Sequence, residues 1–178
     1  MNKLDKLHIL TVTSPDIENG IGYRVTIWFA GCSHHCLGCH NIHTWKYNQG
    51  ELFSKEIIEK IYNEVDKNYI RGITLSGGDP LDQSYSALQE LYMFLTEFKN
   101  DFPEKDIWVY TGDTFENLTK TPIIRKILSK CDVLVDGLFI KDKFDPDIAF
   151  RGSTNQRIID IQKTRMSANG DIVQLKIK

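Results

Sequence analysis

Residues 23–39 read YRVTIWFAGCSHHCLGC and contain the strongest strand signal and the strongest chemical motif of the chain. The first seven of these residues are mostly β-branched or aromatic, which is typical of a buried β-strand. Ala30 and Gly31 follow the strand, and cysteines stand directly after them at positions 32, 36 and 39. A strand that leads into a turn with reactive side chains predicts a functional loop at its carboxyl end.

Three later segments repeat this order of a strand followed by a glycine turn. They are Ile73 to Leu75 before Ser76-Gly77-Gly78, Ile107 to Tyr110 before Thr111-Gly112, and Val133 to Val135 before Asp136-Gly137. Helical apolar periodicity fills the intervals at 54–67, 84–99 and 123–129, with Ser54, Ser84 and Pro122 at initiating positions. Strands that are separated by helices predict parallel pairing and an α/β fold.

The length of 178 residues suits one domain, and no repeat or linker divides it, so we predict a single domain over residues 1–178. A closed barrel of eight strands takes about 250 residues. We therefore expect an incomplete TIM-type barrel or a curved parallel sheet of about five or six strands, with the helices on the outside. Ile172 to Ile177 alternates like a final strand, which could be an edge strand or an element that docks a partner.

The loops that follow the strands should meet on one rim in either architecture. They carry the cysteines, Gly77-Gly78-Asp79, Thr111-Gly112-Asp113 and Asp136-Gly137. Asp136, with Lys141 and Asp142 nearby, could line this rim or belong to a solvated charge group. Arg151 could bind a carboxylate or a ribose, or it could cap the last strand.

The composition argues for a globular protein whose main partner is neither nucleic acid nor a membrane. Lys and Arg number 22 against 24 Asp and Glu, and the net charge of −2 gives no basic excess for phosphates. No apolar run approaches the roughly 18 residues of a membrane helix. The short run His8 to Thr13 is too polar for the core of a signal peptide, so we expect a cytoplasmic protein.

The three clustered cysteines predict a metal centre, and the residues alone leave two kinds open. Zinc prefers four ligands, and a histidine could complete a Cys₃His set with Cys32, Cys36 and Cys39. Three thiolates also suit a 4Fe-4S cluster in which one iron has no protein ligand and can coordinate another molecule. Cys131 lies far along the chain among apolar residues and is expected to be a small core residue. The histidines available for zinc are His34, His35, His40 and His43.

The cysteine spacing resembles the signature of the radical S-adenosylmethionine (SAM) superfamily. Within it the chain is most similar to the activating proteins of anaerobic, glycyl-radical ribonucleotide reductases. The similarity covers about residues 14–160. It is carried by Gly31-Cys32, Gly38-Cys39-His40-Asn41, Thr44-Trp45, LSGGDPL at 75–81, Val135-Asp136-Gly137, and Arg151-Gly152-Ser153 with Asn155-Gln156.

This resemblance implies site residues and two cofactors. Cys32, Cys36 and Cys39 would ligate one 4Fe-4S cluster, and no other catalytic residue is implied. Gly38, Cys39, His40, Gly77, Gly78 and Asp79 would bind SAM, mainly through the backbone. Two positions depart from the superfamily pattern, because Gly38 stands where an aromatic residue is frequent and Asp79 stands where glutamate is usual. Asp79 could orient its loop or could be an ordinary turn acid before Pro80.

The resemblance also implies an enzyme that reductively cleaves SAM to a 5'-deoxyadenosyl radical. That radical would abstract hydrogen from a backbone glycine of the anaerobic ribonucleoside-triphosphate reductase. No nucleotide-binding glycine motif opens a helix after a strand, so an external electron donor such as a flavodoxin is implied. Two alternatives stay open: an activating enzyme of another glycyl-radical enzyme, and a non-catalytic Cys₃His zinc-binding interaction module.

Overall fold

The β-branched and aromatic segments form one seven-stranded sheet in the computed structural model, which describes residues 3–177. The strands are β1 (His8–Asp16), β2 (Tyr23–Phe29), β3 (Glu51–Leu52), β4 (Ile70–Gly77), β5 (Asp106–Tyr110), β6 (Val133–Asp136) and β7 (Arg157–Asp160). The helices are α1 (Lys55–Val65), α2 (Tyr85–Asp101), α3 (Phe115–Leu118), α4 (Pro122–Leu128) and α5 (Ile161–Met166), with short 3₁₀ turns at Ile42–Thr44 and Lys141–Lys143.

The sheet is open and mixed, in the order β3-β1-β2-β4-β5-β6-β7. The central strands β2, β4, β5 and β6 are parallel, whereas β1, β3 and β7 pair antiparallel at the two sides. The α/β class is confirmed, but a parallel sheet of five or six strands is wrong in both number and direction. No helical crossover separates β1 from β2 or β6 from β7, and neighbours joined without a crossover pair antiparallel.

The three predicted helices are confirmed close to their expected bounds. Helix α2 begins after Ser84, whose Oγ accepts a hydrogen bond from the amide of Ala87 at 3.2 Å. Ser54 holds the corresponding position before α1 without a side-chain capping bond to the helix backbone. Pro122 starts α4 in the first turn, where its missing N–H costs nothing. Capping and first-turn residues therefore located the helix starts correctly.

The two faces of the sheet have different coverings because side chains alternate along each strand. Ile107 and Val109 of β5 belong to the large core that includes residues of all five helices. Trp108, between them, belongs to a smaller apolar cluster on the opposite face. Phe150 and the C-terminal residues Leu175 and Ile177 cover that smaller cluster.

The C-terminal segment does not form the strand that its alternation predicted. Within the described residues up to 177, it contributes one isolated bridge, between Gln174 and Ile159 of β7. The amide of Leu175 donates to the carbonyl of Ile158 at 2.7 Å. The segment therefore partly covers the β7 edge without extending the sheet.

Arg24 is a fully buried charge at the start of β2. Its Nη1 lies 2.6 Å from Oδ1 of Asp106, and its Nε donates to the Thr74 hydroxyl at 2.7 Å. The guanidinium also lies 5.3 Å from the centre of the Trp108 ring. A buried charge needs such partners to offset its lost hydration.

Among residues 3–177, no helix has both the length and the apolar character that crossing a membrane requires.

Candidate active site

Four loops meet at the carboxyl ends of the parallel strands and enclose a cavity of about 140 Å³. The lining combines Cys32, Cys36 and Cys39 after β2 with Gly77 and Gly78 after β4. The loops after β5 and β6 supply the remaining walls. The predicted convergence of four loops on one rim is therefore confirmed, as expected when parallel strands end at the same edge.

The three cysteines that line this cavity are free thiols. Cys32 is buried, while Cys36 and Cys39 are half-buried. Burial raises the pKa of Cys32 to about 12, with the charge of Asp79 as a further cause, and burial also raises the pKa of Cys36. Metal ions bind thiolates, so a metal centre is what would stabilise the deprotonated form at this place.

The start of the cysteine loop is fixed by backbone hydrogen bonds to the following segment. The amide of Gly31 donates to the carbonyl of Thr44 at 2.7 Å, and that of Cys32 donates to the carbonyl of Trp45 at 3.1 Å. Gly31 has a φ of +98°, and a Cβ there would come within 2.1 Å of the Tyr47 ring. Glycine is needed at this position because both the backbone angle and the space exclude a side chain.

Gly77 and Gly78 bring the loop after β4 against the cysteine loop. The amide of Gly78 donates to Phe29 O at 2.8 Å, and the amide of Asp79 donates to Gly31 O at 2.8 Å. A Cβ on Gly78 would lie 2.3 Å from the Gly31 carbonyl oxygen. These glycines therefore let two loop backbones of the chain come into close contact. Gly77 and Gly78 also line the cysteine cavity.

Asp79 is a buried carboxylate, 1% exposed, that joins three loops. Its Oδ1 accepts from the amide of Leu81 at 2.8 Å. Its Oδ2 accepts from the Thr111 hydroxyl at 2.8 Å and from the Gly112 amide at 2.9 Å, and it lies 2.9 Å from Nε2 of His34. This geometry supports the interpretation of Asp79 as a residue that orients its loop, since a turn acid would act only locally.

His34 is the residue that links the cysteine loop to this carboxylate. The hydrogen bond with Asp79 raises the pKa of His34 above its ordinary value, against the opposing effect of burial. The ring packs on Gly112, where a Cβ would come within 2.5 Å of the imidazole Cδ2. Sequence reasoning considered His34 only as a zinc ligand, because its partner lies 45 positions away.

Two further residues that the sequence did not single out hold the same loops together. Asp82 accepts from the amide and hydroxyl of Ser33, both at 2.6 Å, and from the Tyr47 hydroxyl at 2.8 Å. Gln83 donates from Nε2 to the carbonyl of Ala30 at 3.1 Å. Their position directly after LSGGDPL is the only signal that could have identified them.

A second cavity, of about 360 Å³, adjoins the first and shares four lining residues with it, Asn41, Ser76, Tyr110 and Gln156. His40 and Arg151 line this second cavity. Arg151 donates from Nη1 to the carbonyl of Gln156 at 3.0 Å, while its buried Nε has no partner among the described residues. The combination of aromatic walls and free polar groups suits a polar small molecule or a polypeptide loop.

The remaining SAM-binding candidate, Gly38, is an exposed residue of the cysteine loop and lines neither of the two cavities. It has a φ of +77°, and a Cβ there would lie 3.3 Å from Cδ of Lys141. Cys39 lines the first cavity and His40 the second, so the three consecutive candidates face different surroundings. Their roles in cofactor binding stay predictions.

The structure assigns surroundings to two residues whose roles were open. Asp136 is 1% exposed, accepts from the amide of Phe115 at 2.8 Å and pairs with Arg157, so its interpretation as a solvated charge is wrong. A carboxylate buried to this extent must be paired. Cys131 is fully buried, and its thiol donates to Ile127 O at 3.4 Å, which confirms it as a core residue.

The donor set suits the predicted 4Fe-4S cluster better than the alternative Cys₃His zinc site. Among residues 3–177, the one group of three or more potential ligand atoms within 4.8 Å of one another comprises Cys32, His34 and Asp82. A single tetrahedral ion needs its four ligands close together. Three thiols spread around a common cavity fit the larger body of an iron–sulfur cluster.

Comparisons with known proteins agree with this donor set. A family model described as a 4Fe-4S single cluster domain matches residues 18–159, which include the three loop cysteines. The anaerobic ribonucleoside-triphosphate reductase-activating protein of Haemophilus influenzae is 41% identical over 145 residues, which is 80% of this chain and 91% of that protein. The protein of the same name from Escherichia coli K12 is 38% identical over 143 residues, covering 79% and 90% of the two chains. That of Enterobacteria phage T4 is 38% identical over 144 residues, covering 80% and 87%.

Proposed function

This chain belongs to the family of anaerobic ribonucleoside-triphosphate reductase-activating proteins, and from that membership we propose that it activates such a reductase through radical cleavage of SAM. The observation that carries the proposal is the cavity where Cys32, Cys36 and Cys39 meet the glycine loop after β4. We take the open seven-stranded sheet to be the partial barrel of the radical SAM superfamily. Its rim would then be the reaction site.

Cys32, Cys36 and Cys39 would hold one 4Fe-4S cluster through three thiolates, which leaves one iron without a protein ligand. When bound, the cluster supplies a low-potential electron and a coordination position for the substrate. Gly77 and Gly78 present backbone without side chains to the same cavity. We propose that this backbone, with that of Gly38, Cys39 and His40, orients SAM, and that Asp79 fixes the loop.

The proposed reaction uses one electron from an external donor such as a flavodoxin. The bond between the sulfonium sulfur and the 5' carbon breaks, which gives methionine and a 5'-deoxyadenosyl radical. This radical takes a hydrogen atom from the α carbon of the target glycine. The products are 5'-deoxyadenosine and a glycyl radical on the reductase, and the chain's own role is to hold the two substrates in contact.

The two alternatives have less support. The names of the relatives specify an anaerobic ribonucleoside-triphosphate reductase, which favours this partner over another glycyl-radical enzyme. The match to a 4Fe-4S domain favours an iron–sulfur cluster over zinc as the resident cofactor.

Anaerobic reconstitution with iron and sulfide tests the proposal directly. The loaded chain, reduced by dithionite or flavodoxin, is expected to convert SAM to 5'-deoxyadenosine. After addition of a class III reductase, electron paramagnetic resonance should detect a glycyl radical on the reductase. A full cluster that yields no 5'-deoxyadenosine would disprove the proposal, and one zinc ion without sulfide in the anaerobically purified chain would favour the zinc module.

A further inference from the structure

Cys32, His34 and Asp82 form a compact group whose ligand atoms all lie within 4.8 Å of one another. Two of these residues come from the loop after β2, and Asp82 comes from the loop after β4. The fold, and not local spacing, therefore assembles the group. Thiolate, imidazole and carboxylate are the ligand types with which proteins bind zinc.

His34 of this group has a carboxylate partner at one ring nitrogen, as metal-binding histidines usually have. Its Nε2 lies 2.9 Å from Oδ2 of Asp79, and ligating histidines usually donate their second ring N–H to a carboxylate. With Nε2 held by Asp79, metal binding by His34 requires Nδ1 as the ligand atom. Asp79 is itself fixed by Thr111 and Gly112, so the ring has a defined orientation.

Two members of this group, His34 and Asp82, also line a cavity other than the cysteine cavity. A cavity of about 270 Å³ is lined by His34, Asp79, Asp82 and Asp113, with Lys3 as its basic residue. Lys3 Nζ lies 2.5 Å from Oδ1 of Asp82, and its side chain is 38% exposed. Three carboxylates against one ammonium and one imidazole give a local field that attracts cations, and an entering ion would displace Lys3.

We propose that, in the chain without its cluster, Cys32, His34 and Asp82 bind one zinc ion, with water in the fourth position. Three protein ligands, an oriented imidazole and an open fourth position are the features of an exchangeable zinc site. The metal site itself is independent of the function proposed above. Because Cys32 would also ligate the cluster, a consequence that rests on the proposed function is that zinc and the cluster exclude each other.

Zinc titration of the anaerobic, cluster-free, full-length chain against a chelator indicator tests the site. One ion per chain is expected, and X-ray absorption at the zinc edge should show one sulfur neighbour with nitrogen and oxygen for the rest. Three sulfur neighbours would place zinc on the cysteine trio and overturn the proposal. This readout needs no variant and therefore does not depend on how any substitution affects folding.

Variants separate the proposed ligands from the other thiols. His34→Ala and Asp82→Asn should each weaken zinc binding at least tenfold, as loss of a ligand or its support does. The double variant Cys36→Ser/Cys39→Ser is the matched control and should bind zinc like the unmodified chain. Loss of binding in the control, with His34→Ala unaffected, would also overturn the proposal.

Competition with cluster assembly is measured as acid-labile sulfide after reconstitution. One equivalent of zinc added first should lower the sulfide content of the unmodified chain and leave that of His34→Ala unchanged. Equal sulfide content with and without zinc would disprove the exclusion. A chain that loads its cluster fully and still fails to cleave SAM would instead contradict the proposed function alone.

Discussion

At the scale of single residues, the four cysteines carry the same thiol in two kinds of surroundings. Cys131 is enclosed by the helix-covered core, where burial raises the pKa of its thiol. Among the described residues, it belongs to no group of potential metal ligands. Cys32, Cys36 and Cys39 share the walls of one cavity. A thiol that faces a cavity with other thiols can lose its proton to a metal, whereas one among apolar side chains stays inert.

Replacing any one of the three loop cysteines by serine should abolish stable cluster assembly. A hydroxyl is a poor ligand for iron compared with a thiolate, and two thiolates do not hold the cluster. Iron, sulfide and visible absorption after anaerobic reconstitution measure the effect. The matched control is Cys131→Ala, which should load a full cluster while losing roughly 1 kcal/mol of stability from its buried site.

A Cys131→Ala variant without a cluster, or a Cys36→Ser variant with a full one, would show that the ligand assignment is mistaken. Either result would be apparent from the sulfide content alone.

The predictability of the site depends on how far apart in sequence its contacts lie. The spacing of Cys32, Cys36 and Cys39 is local, so the sequence contains it directly. The partners of Asp79 lie 45 positions away at His34 and 32 positions away at Thr111, and no local pattern encodes such pairs. The consequence is that sequence reasoning located the thiols correctly and missed the hydrogen bonds that fix them.

At the scale of elements, patterns of burial explain which strands and helices could be predicted. β2 and the central part of β4 are buried almost throughout, and both have dense β-branched sequences. Most positions of β1 are exposed or half-buried, and its sequence HILTVTSPD is correspondingly polar. A strand with so many polar residues gives a weak strand signal in the sequence. β3 and α3 span two and four residues, which is too short for any periodicity to show.

Arg157 joins three of these elements at the β7 end of the sheet. Its guanidinium donates to both carboxylate oxygens of Glu116 on α3, at 2.9 and 2.8 Å. Its Nε donates to Oδ1 of Asp136 on β6 at 2.9 Å. Hydrogen bonds from Arg157 lower the pKa of Glu116 to about 2, so this carboxylate is more acidic in the folded chain than in the unfolded chain.

Glu116→Gln should therefore destabilise the chain in a pH-dependent way. A lowered folded-state pKa contributes stability that is present above the unfolded value near 4.5 and is lost as the pH falls towards 2. Because Glu116 is more than half exposed, the loss at pH 7 should not exceed about 1 kcal/mol. Urea unfolding at pH 7, 4 and 3 measures it.

The control for this series is Glu104→Gln, at an exposed position on the turn before β5. It should change the free energy of unfolding little at any of these pH values. A Glu116→Gln effect that stayed constant down to pH 3 would contradict the assigned ion pair.

At the scale of the whole molecule, the sheet separates an apolar face with helices from a face that holds a buried charge. Arg24 reaches from β2 across Thr74 of β4 to Asp106 of β5 and stacks near Trp108. It therefore ties together the three strands whose carboxyl ends carry the cysteines, Gly77 and Thr111. Integrity of the site rim depends on these strands staying in register.

Arg24→Met should lower the free energy of unfolding by about 3 kcal/mol, because it removes the hydrogen bonds of a buried guanidinium to Thr74 and to the Ile73 carbonyl, together with one of the two ion pairs of Asp106. Urea unfolding of the cluster-free chain is the measurement. Arg71→Met is the control, since Arg71 binds the same carboxylate at 2.8 Å from an exposed position and should cost no more than about 1 kcal/mol. Equal effects of the two variants would contradict a dominant role for the buried pair.

The length of the chain and its helix–strand alternation were sufficient to predict an α/β fold without a closed barrel. They were insufficient for the sides of the sheet, where β1 and β7 run antiparallel. Direction there is decided by connections that lack a helix, such as residues 17–22 between β1 and β2. Residues 17–22 do contain Asn19-Gly20, a dipeptide typical of hairpin turns, and the antiparallel direction of β1 could have been predicted from it.

The two outer strands have a consequence for how the protein behaves at high concentration. An open sheet exposes unpaired amides and carbonyls at its margins, and long margins template pairing between molecules. Here one margin is the two-residue β3, and the other is β7, to which Gln174 adds a bridge. β3 pairs with β1 only at His8 and Ile9, so within the described part of the chain residues 10–16 of β1 have no strand partner on that side, and strand-to-strand pairing between molecules should begin there.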